Sequence, residues 1–130
     1  MATENPGKNV NQKTVLLVED HKYSLLVLSK MLERSGITVI PAENGLEAVN
    51  ICKENNNIDL VLMDIKMPVM DGYIAMKEIK KILPDIKVIA ETAYALTGDK
   101  RRILDAGFDD YLPKPITIGS LEEIVSLNLV

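Results

Sequence analysis

The chain has 130 residues, enough for one domain that buries roughly two-thirds of its unfolded surface. Its net charge of −4 argues against a protein held to nucleic acid by its own field, and no apolar run approaches the ~18 residues that span a bilayer. The single cysteine, Cys52, excludes an internal disulfide and favours a reducing, cytoplasmic setting, and its neighbours favour a packed thiol over a reactive one.

The chain starts with a polar stretch and continues with apolar runs that alternate with amphipathic segments. Residues 1–13 are predicted to form a flexible tail, followed by one domain at residues 14–130. Residues 14–18 (TVLLV) predict the first strand, which runs directly into the acid pair Glu19 and Asp20. The first strand therefore carries carboxylates at its carboxyl end.

Helix signals follow at once. Leucines and a methionine at spacings of three and four residues predict a helix over residues 21–34, with Gly36 at its C-terminal cap. A second strand is predicted over residues 37–40 and should end before Pro41. Asn44 can cap a second helix, because a glutamate follows three residues later as in a capping box.

The third apolar run is the one around which the chain is organised. Residues 60–63 (LVLM) are apolar in every position and lead into Asp64, which is typical of a buried strand in a parallel sheet. Pro68 marks the boundary, since proline has no N–H for a strand ladder. Ligands bind at the carboxyl edge of open α/β sheets, so Asp64 is predicted to lie at the mouth of a crevice.

The remaining pattern completes five strand and helix alternations. The further predicted elements are a helix over residues 73–83, a strand over 86–90, a helix over 97–106, a strand over 109–112 and a last helix capped by Ser120. This alternation predicts a doubly wound α/β fold with a parallel sheet. Right-handed crossovers gather the carboxyl ends of all strands at one edge.

Polar side chains follow four of these strands at that edge. They are Glu19, Asp20, Asp64, Thr92 and Lys114. Two carboxylates about 4 Å apart repel by roughly 4 kcal/mol at an effective dielectric of 20, so positive charge is needed. The lysine supplies one charge, and the oxygen ligands suggest Mg²⁺ rather than zinc, since the chain has one histidine and one cysteine.

A carboxylate beside Mg²⁺, an ammonium group and a hydroxyl group can accept a phosphoryl group. Asp64 would be the nucleophile, and Thr92 and Lys114 could bind the remaining phosphoryl oxygens. The sequence therefore predicts a phosphoryl acceptor site.

From residue 14 to residue 127 the chain resembles the receiver domain of two-component response regulators. The residues that carry the resemblance are Glu19-Asp20, the segment MDIKMPVMDG around Asp64, the ETA at Thr92 and YLPKP around Lys114. The resemblance implies a flavodoxin-like (βα)5 fold with strand order 2-1-3-4-5. It also implies a phosphoacceptor switch in a phosphorelay and not an enzyme that turns over a separate substrate.

The resemblance assigns a role to each acid. Asp64 would become 4-aspartylphosphate, with a histidine kinase or a histidine phosphotransfer protein as donor. Asp20 and Asp64 would bind Mg²⁺ directly together with the Lys66 carbonyl, and Glu19 would act mainly through water. Asn often follows the acid pair in this family, and His21, which stands there, is interpreted as a residue that starts the helix and not as a phosphoryl donor.

The resemblance also implies a switch. Thr92 and Lys114 would contact the phosphoryl group, the Lys114–Pro115 peptide would be cis, and Tyr111 would swing inward as the threonine moves. The face built from strand four, helix four and strand five, including residues 94–102, should change most and be read by a downstream effector, by the parent chain or by a second copy in a homodimer.

Two functional alternatives are open. A haloacid-dehalogenase-like phosphatase also uses a strand-end aspartate, but that family expects a second aspartate where this chain has Lys66. A receiver-like module that binds partners without phosphorylation is expected to lack an acid, the threonine or the lysine, and none is missing. The chain could be a stand-alone regulator or the receiver of a hybrid sensor kinase, since ENGLEAV at residues 43–49 looks like hybrid-kinase receivers.

Overall fold

The centre of the sheet is the apolar run that ends at Asp64. In the computed structural model this run forms β3 (Leu60–Asp64), and all its residues are buried. It pairs in parallel with β1 (Thr14–Val18) on one side and with β4 (Lys87–Thr92) on the other. A strand covered on both faces needs apolar side chains on both, and this explains the uninterrupted run.

The structure describes residues 13–93 and 97–129, so most of the predicted tail and residues 94–96 of the predicted switch face lie outside it. The outer strands are β2 (Thr38–Ala42) and β5 (Asp110–Pro113). The helices are α1 (Lys22–Arg34), α2 (Gly45–Glu54), α3 (Gly72–Ile82), α4 (Thr97–Ala106) and α5 (Ile118–Asn128).

The strands follow the order β2-β1-β3-β4-β5, all parallel, which confirms the predicted fold. Helices α1 and α5 pack on one face of the sheet, and α2, α3 and α4 supply the buried side chains on the other. Cys52 of α2 belongs to this second core, and burial raises the pKa of its thiol to about 11. Within the described residues, no helix has the length and apolar character needed to cross a membrane.

Two local predictions were wrong. Pro41 lies inside β2, because β2 is an edge strand where proline's missing N–H can face away from the neighbouring strand. Thr117, and not Ser120, caps α5; the two residues exchange backbone-to-hydroxyl bonds of 3.1 Å in a capping box.

Strand β4 also extends two residues beyond the predicted end at Ala90. Its last residues, Glu91 and Thr92, stay in register with Leu112 and Pro113 of β5. The longer strand brings both polar side chains to the carboxyl edge beside Asp64, which pairs with Glu91 across β3 and β4.

Gly72 allows α3 to begin close against the end of β3. A Cβ at this position would lie 2.7 Å from the Asp64 carbonyl oxygen and 2.8 Å from Ile65 Cα, closer than real side chains approach. The Gly72 N–H donates to the Ile65 carbonyl at 2.8 Å, and the Asp71 carboxylate caps the helix. Asp71 and Gly72 therefore start α3 directly against the end of β3.

Candidate active site at the carboxyl edge

Asp64 lies at the middle of the carboxyl edge, as predicted. It is 5% exposed, and its Oδ2 accepts a hydrogen bond from Lys114 Nζ at 3.0 Å. Its Oδ1 accepts from the backbone N–H of Lys66 at 3.2 Å. Both carboxylate oxygens are thus held in a fixed orientation toward the crevice.

Glu19 and Asp20 follow β1 directly. The Glu19 backbone N–H donates to the Ala42 carbonyl at 3.0 Å, which fixes the turn out of the strand. The Glu19 side chain is 1% exposed, and its Oε1 lies 3.9 Å from Lys114 Nζ. Within the described residues, neither this Oε1 nor the buried Oδ1 of Asp20 receives a hydrogen bond.

Thr92 and Lys114 come from neighbouring strand ends. The backbone N–H of Lys114 donates to the Thr92 carbonyl at 2.8 Å, continuing the pairing of β4 with β5. The Lys114–Pro115 peptide is cis, as predicted. Tyr111, the predicted switch aromatic, is half-buried in β5, and Lys100 Nζ lies 5.2 Å from its ring centroid.

Glu91 is a site residue that the sequence reasoning missed. Its side chain is fully buried, and within the described residues neither carboxylate oxygen has a hydrogen-bond partner. It faces the negative charges of Glu19 and Asp64, and Lys114 is the cation that acts on it. The available signal in the sequence was an acid placed between the apolar run at residues 88–90 and Thr92.

Burial and mutual repulsion shift the protonation of these groups. Burial raises the pKa of Glu91 well above its ordinary value, and the charges of Glu19 and Asp64 add to this. Burial and the charge of Asp64 also raise the pKa of Glu19, against the lowering effect of Lys114. Burial alone would lower the pKa of Lys114, but its hydrogen bond to Asp64 and the surrounding acids raise it overall.

The donor set fits a hard cation. The described acids offer buried oxygens without hydrogen-bond donors, on Glu19 and Asp20, which is what a cation-binding edge requires. One oxygen from each of these acids and a nitrogen of His21 lie within 4.8 Å of one another. Asp64 does not belong to this three-residue group. Lys114 Nζ lies between the two acids, 3.0 Å from Asp64 Oδ2 and 3.9 Å from Glu19 Oε1.

A cavity of about 230 Å³ opens at this edge. Its walls include His21, Asp64, Glu91, Thr92 and Lys114. It continues along α4 past Arg102, whose guanidinium pairs with Asp99 at 3.2 Å. The cavity therefore gives a small ligand access to the Asp64 carboxylate, whereas the rest of β3 is buried.

Residues 15–126 match the family model of the response regulator receiver domain. The chain belongs to this family. Its members serve as phosphoacceptor switches in two-component phosphorelay signal transduction, which agrees with the function predicted from the sequence.

Curated relatives of this receiver are of two kinds. It is 34% identical over 125 residues to the two-component response regulator 24 of Arabidopsis thaliana, covering 96% of this chain and 90% of the relative. It is 39% identical over 116 residues to the sensor protein GacS of Pseudomonas syringae pv. syringae, covering 85% of this chain. The match spans only 13% of the length of GacS.

Two solved receivers are close in structure. The receiver of the sensor histidine kinase PA1611 from Pseudomonas aeruginosa, solved with a magnesium ion in its active-site cleft, has a TM-score of 0.82 and 36% identity over 90% of this chain and 97% of its own. The receiver of Ssk1 from Saccharomyces cerevisiae was solved with the histidine phosphotransfer protein Ypd1. It has a TM-score of 0.82 and 31% identity, over 90% of this chain and 88% of its own.

Proposed function

We propose that the chain accepts a phosphoryl group on Asp64 from a phosphohistidine of a histidine kinase or a histidine phosphotransfer protein. The observation that carries the proposal is the Asp64 carboxylate itself, buried at the end of β3, open to the cavity and hydrogen-bonded by Lys114 Nζ at 3.0 Å. The complex of the similar Ssk1 receiver with Ypd1 supports a donor of this class.

The chemistry is a single transfer. A carboxylate oxygen of Asp64 forms a P–O bond as the P–N bond of the donor breaks, and the departing imidazole keeps the electron pair and takes up a proton. Lys114 and Thr92 would bind the remaining phosphoryl oxygens. The chain would catalyse this transfer and a slow loss of its own phosphoryl group, without turnover of a separate substrate.

Magnesium completes the proposal. Asp20, Asp64 and the Lys66 carbonyl would hold Mg²⁺ directly, with Glu19 acting through water. When bound, the ion supplies positive charge that offsets the phosphoryl oxygens and the clustered acids. The donor-less oxygens of Glu19 and Asp20 support this ligand set, and the magnesium-bound PA1611 receiver supports the choice of metal.

The first prediction tests the acceptor. Incubation with acetyl phosphate or phosphoramidate and Mg²⁺ should add the mass of one phosphoryl group, labile to base, and intact mass spectrometry measures it. Asp64→Asn should abolish the adduct, because the amide oxygen is a poor nucleophile, and EDTA should suppress it. Asp59→Asn, on an acid near the start of β3 at the opposite edge of the sheet, is the matched control and should be phosphorylated normally.

Other outcomes would decide against the proposal. An adduct that persists in Asp64→Asn would place the acceptor elsewhere. No adduct on the folded, Mg²⁺-binding wild-type protein would favour the alternative function, a receiver-like module that binds partners without phosphorylation.

A second prediction concerns the donor's docking surface. Tyr23 and Leu26 of α1 are 78% and 53% exposed, and Tyr23 lines a groove with Pro115 and Ile116 beside Lys114. An apolar surface of this kind, next to the acceptor, suits the helix that carries the donor histidine. We expect Tyr23→Ala/Leu26→Ala to slow transfer about 10-fold, the loss of one or two apolar anchors.

The measurement uses a phosphorylated histidine phosphotransfer protein, selected by screening for transfer to the wild type. Acetyl phosphate is the internal control, because it needs no docking surface and should phosphorylate both proteins at the same rate. Equal rates with the protein donor would show that docking occurs elsewhere. Leu104→Ala on α4, another exposed leucine, controls for general loss of apolar surface.

The switch is proposed to follow from the added charge. A phosphoryl group brings about −1.5 to −2 charges, which would draw Thr92 toward it and let Tyr111 turn inward. The contact of Lys100 with the Tyr111 ring belongs to the same β4-α4-β5 face and would be lost in that movement. This face would bind the effector, the parent chain or a second copy.

A further inference from the structure

His21 begins α1, as predicted, but its side chain does not cap the helix. The residue has the extended backbone of an N-cap, and its imidazole makes no capping hydrogen bond. The Nδ1 atom instead lies 3.6 Å from Glu19 Oε2 and 3.6 Å from Asp20 Oδ1. The side chain is 76% exposed, so it is directed at the acids without being forced there by packing.

A separate observation indicates that this edge is built for a cation. Glu91 is fully buried, has no hydrogen-bond partner on either carboxylate oxygen among the described residues, and lines the same cavity as His21. Lys114 is already bonded to Asp64, so it offsets only part of the negative charge of this cavity. The Oε1 of Glu19, whose side chain is 1% exposed, also receives no hydrogen bond among the described residues, and a nearby cation would stabilise it.

The spacing of the three ligand atoms suits a transition metal. Bonds of 2.0–2.2 Å to a tetrahedral Zn²⁺ place neighbouring ligand atoms about 3.4 Å apart. The two nitrogen-to-oxygen distances of 3.6 Å need to shrink by only a few tenths of an ångström. Imidazole nitrogen favours zinc-like ions, whereas an oxygen-only set favours magnesium.

We propose that Glu19, Asp20 and His21 form a site for a borderline divalent transition metal of the zinc type, and that His21 supplies the nitrogen ligand that sets this preference. Such an ion shares Glu19 and Asp20 with Mg²⁺, and the two metals therefore compete. The proposal does not depend on Asp64 being the phosphoacceptor, because the metal binds the unphosphorylated chain.

The test uses Zn²⁺ and Mg²⁺ as probes on the full chain at pH 7.5. His21 is the chain's single histidine, so its imidazole proton resonances are unambiguous in an NMR titration. One equivalent of Zn²⁺ should shift or broaden these resonances, and a large excess of Mg²⁺ should then restore them. Resonances that Zn²⁺ leaves unchanged would overturn the proposal.

Variants separate the ligands by calorimetry or by competition with a zinc-binding dye. His21→Asn should weaken Zn²⁺ binding about 10-fold or more, as expected for one ligand lost of three, and change Mg²⁺ affinity less than 2-fold. Asp20→Asn should weaken binding of both ions. Because His21 is exposed and asparagine is a good N-cap, the first variant should fold normally, and an unchanged Zn²⁺ affinity in it would refute the assignment.

Discussion

Lys114→Met is expected to lower the free energy of unfolding by about 2 kcal/mol at pH 7.5 in EDTA. The ammonium group donates to Asp64 at 3.0 Å and lies 3.9 Å from Glu19, so its removal leaves these buried acids without their cation. Removing one partner of a fully buried pair costs about 3–5 kcal/mol. The expected loss is smaller because Lys114 remains 30% exposed and water screens the site.

Urea denaturation followed by circular dichroism measures the loss at pH 7.5 and at pH 5. The loss should shrink at pH 5, because the raised pKa of Glu19 lets this acid take up a proton and stop repelling Asp64. Lys77→Met, the same substitution on an exposed position of α3, is the control and should change stability by less than about 0.5 kcal/mol. An equal loss at both pH values would contradict a contribution of the Glu19 charge to the loss.

Much of the fold could be predicted because each signal in the sequence has a local cause. A strand buried on both faces needs apolar residues at every position, and every residue of β3 before Asp64 is apolar. Asn44 caps α2 as predicted by accepting from the backbone N–H of Glu47 at 2.8 Å. Glycine at position 36 has a φ of 85°, which favours glycine after a helix.

What could not be predicted depends on neighbours in space. Pro41 ends a strand only if both sides of that strand are paired, and the edge position of β2 is a property of the whole sheet. Thr117 and Ser120 both carry hydroxyl groups that could cap a helix. Which of them caps α5 depends on where the helix begins after β5. The backbone of Val69, in the loop after β3, could not be predicted either. Its φ is 72°, a conformation that a β-branched side chain disfavours.

The candidate site shows the same division. Glu19, Asp64, Thr92 and Lys114 could be placed together from sequence, because parallel strands bring their carboxyl ends to one edge. Glu91 could not, since alternation along β4 predicts only that it faces away from its neighbour Thr92. Its burial among other acids follows from the pairing of β4 with both β3 and β5.

Glu91→Met is expected to raise the free energy of unfolding by about 2 kcal/mol at pH 8 in EDTA. A buried polar group without a hydrogen-bond partner costs about 1–3 kcal/mol, and methionine fills a similar volume without a polar atom. Glu33→Met on the exposed face of α1 is the matched control and should stay within about 0.5 kcal/mol of the wild type. Urea denaturation of both variants provides the comparison.

The gain from Glu91→Met should also grow with pH. The raised pKa of Glu91 means that the folded protein keeps a proton that the unfolded chain releases once the pH passes the ordinary value of 4.5. Deprotonation therefore favours the unfolded state, and this carboxyl makes the wild type less stable as pH rises above that value. Methionine cannot titrate, so the stability difference should be larger at pH 8 than at pH 5. A difference that is constant or falls with pH would mean that Glu91 is ionised and stabilised in the folded protein, with Lys114 as its compensating charge.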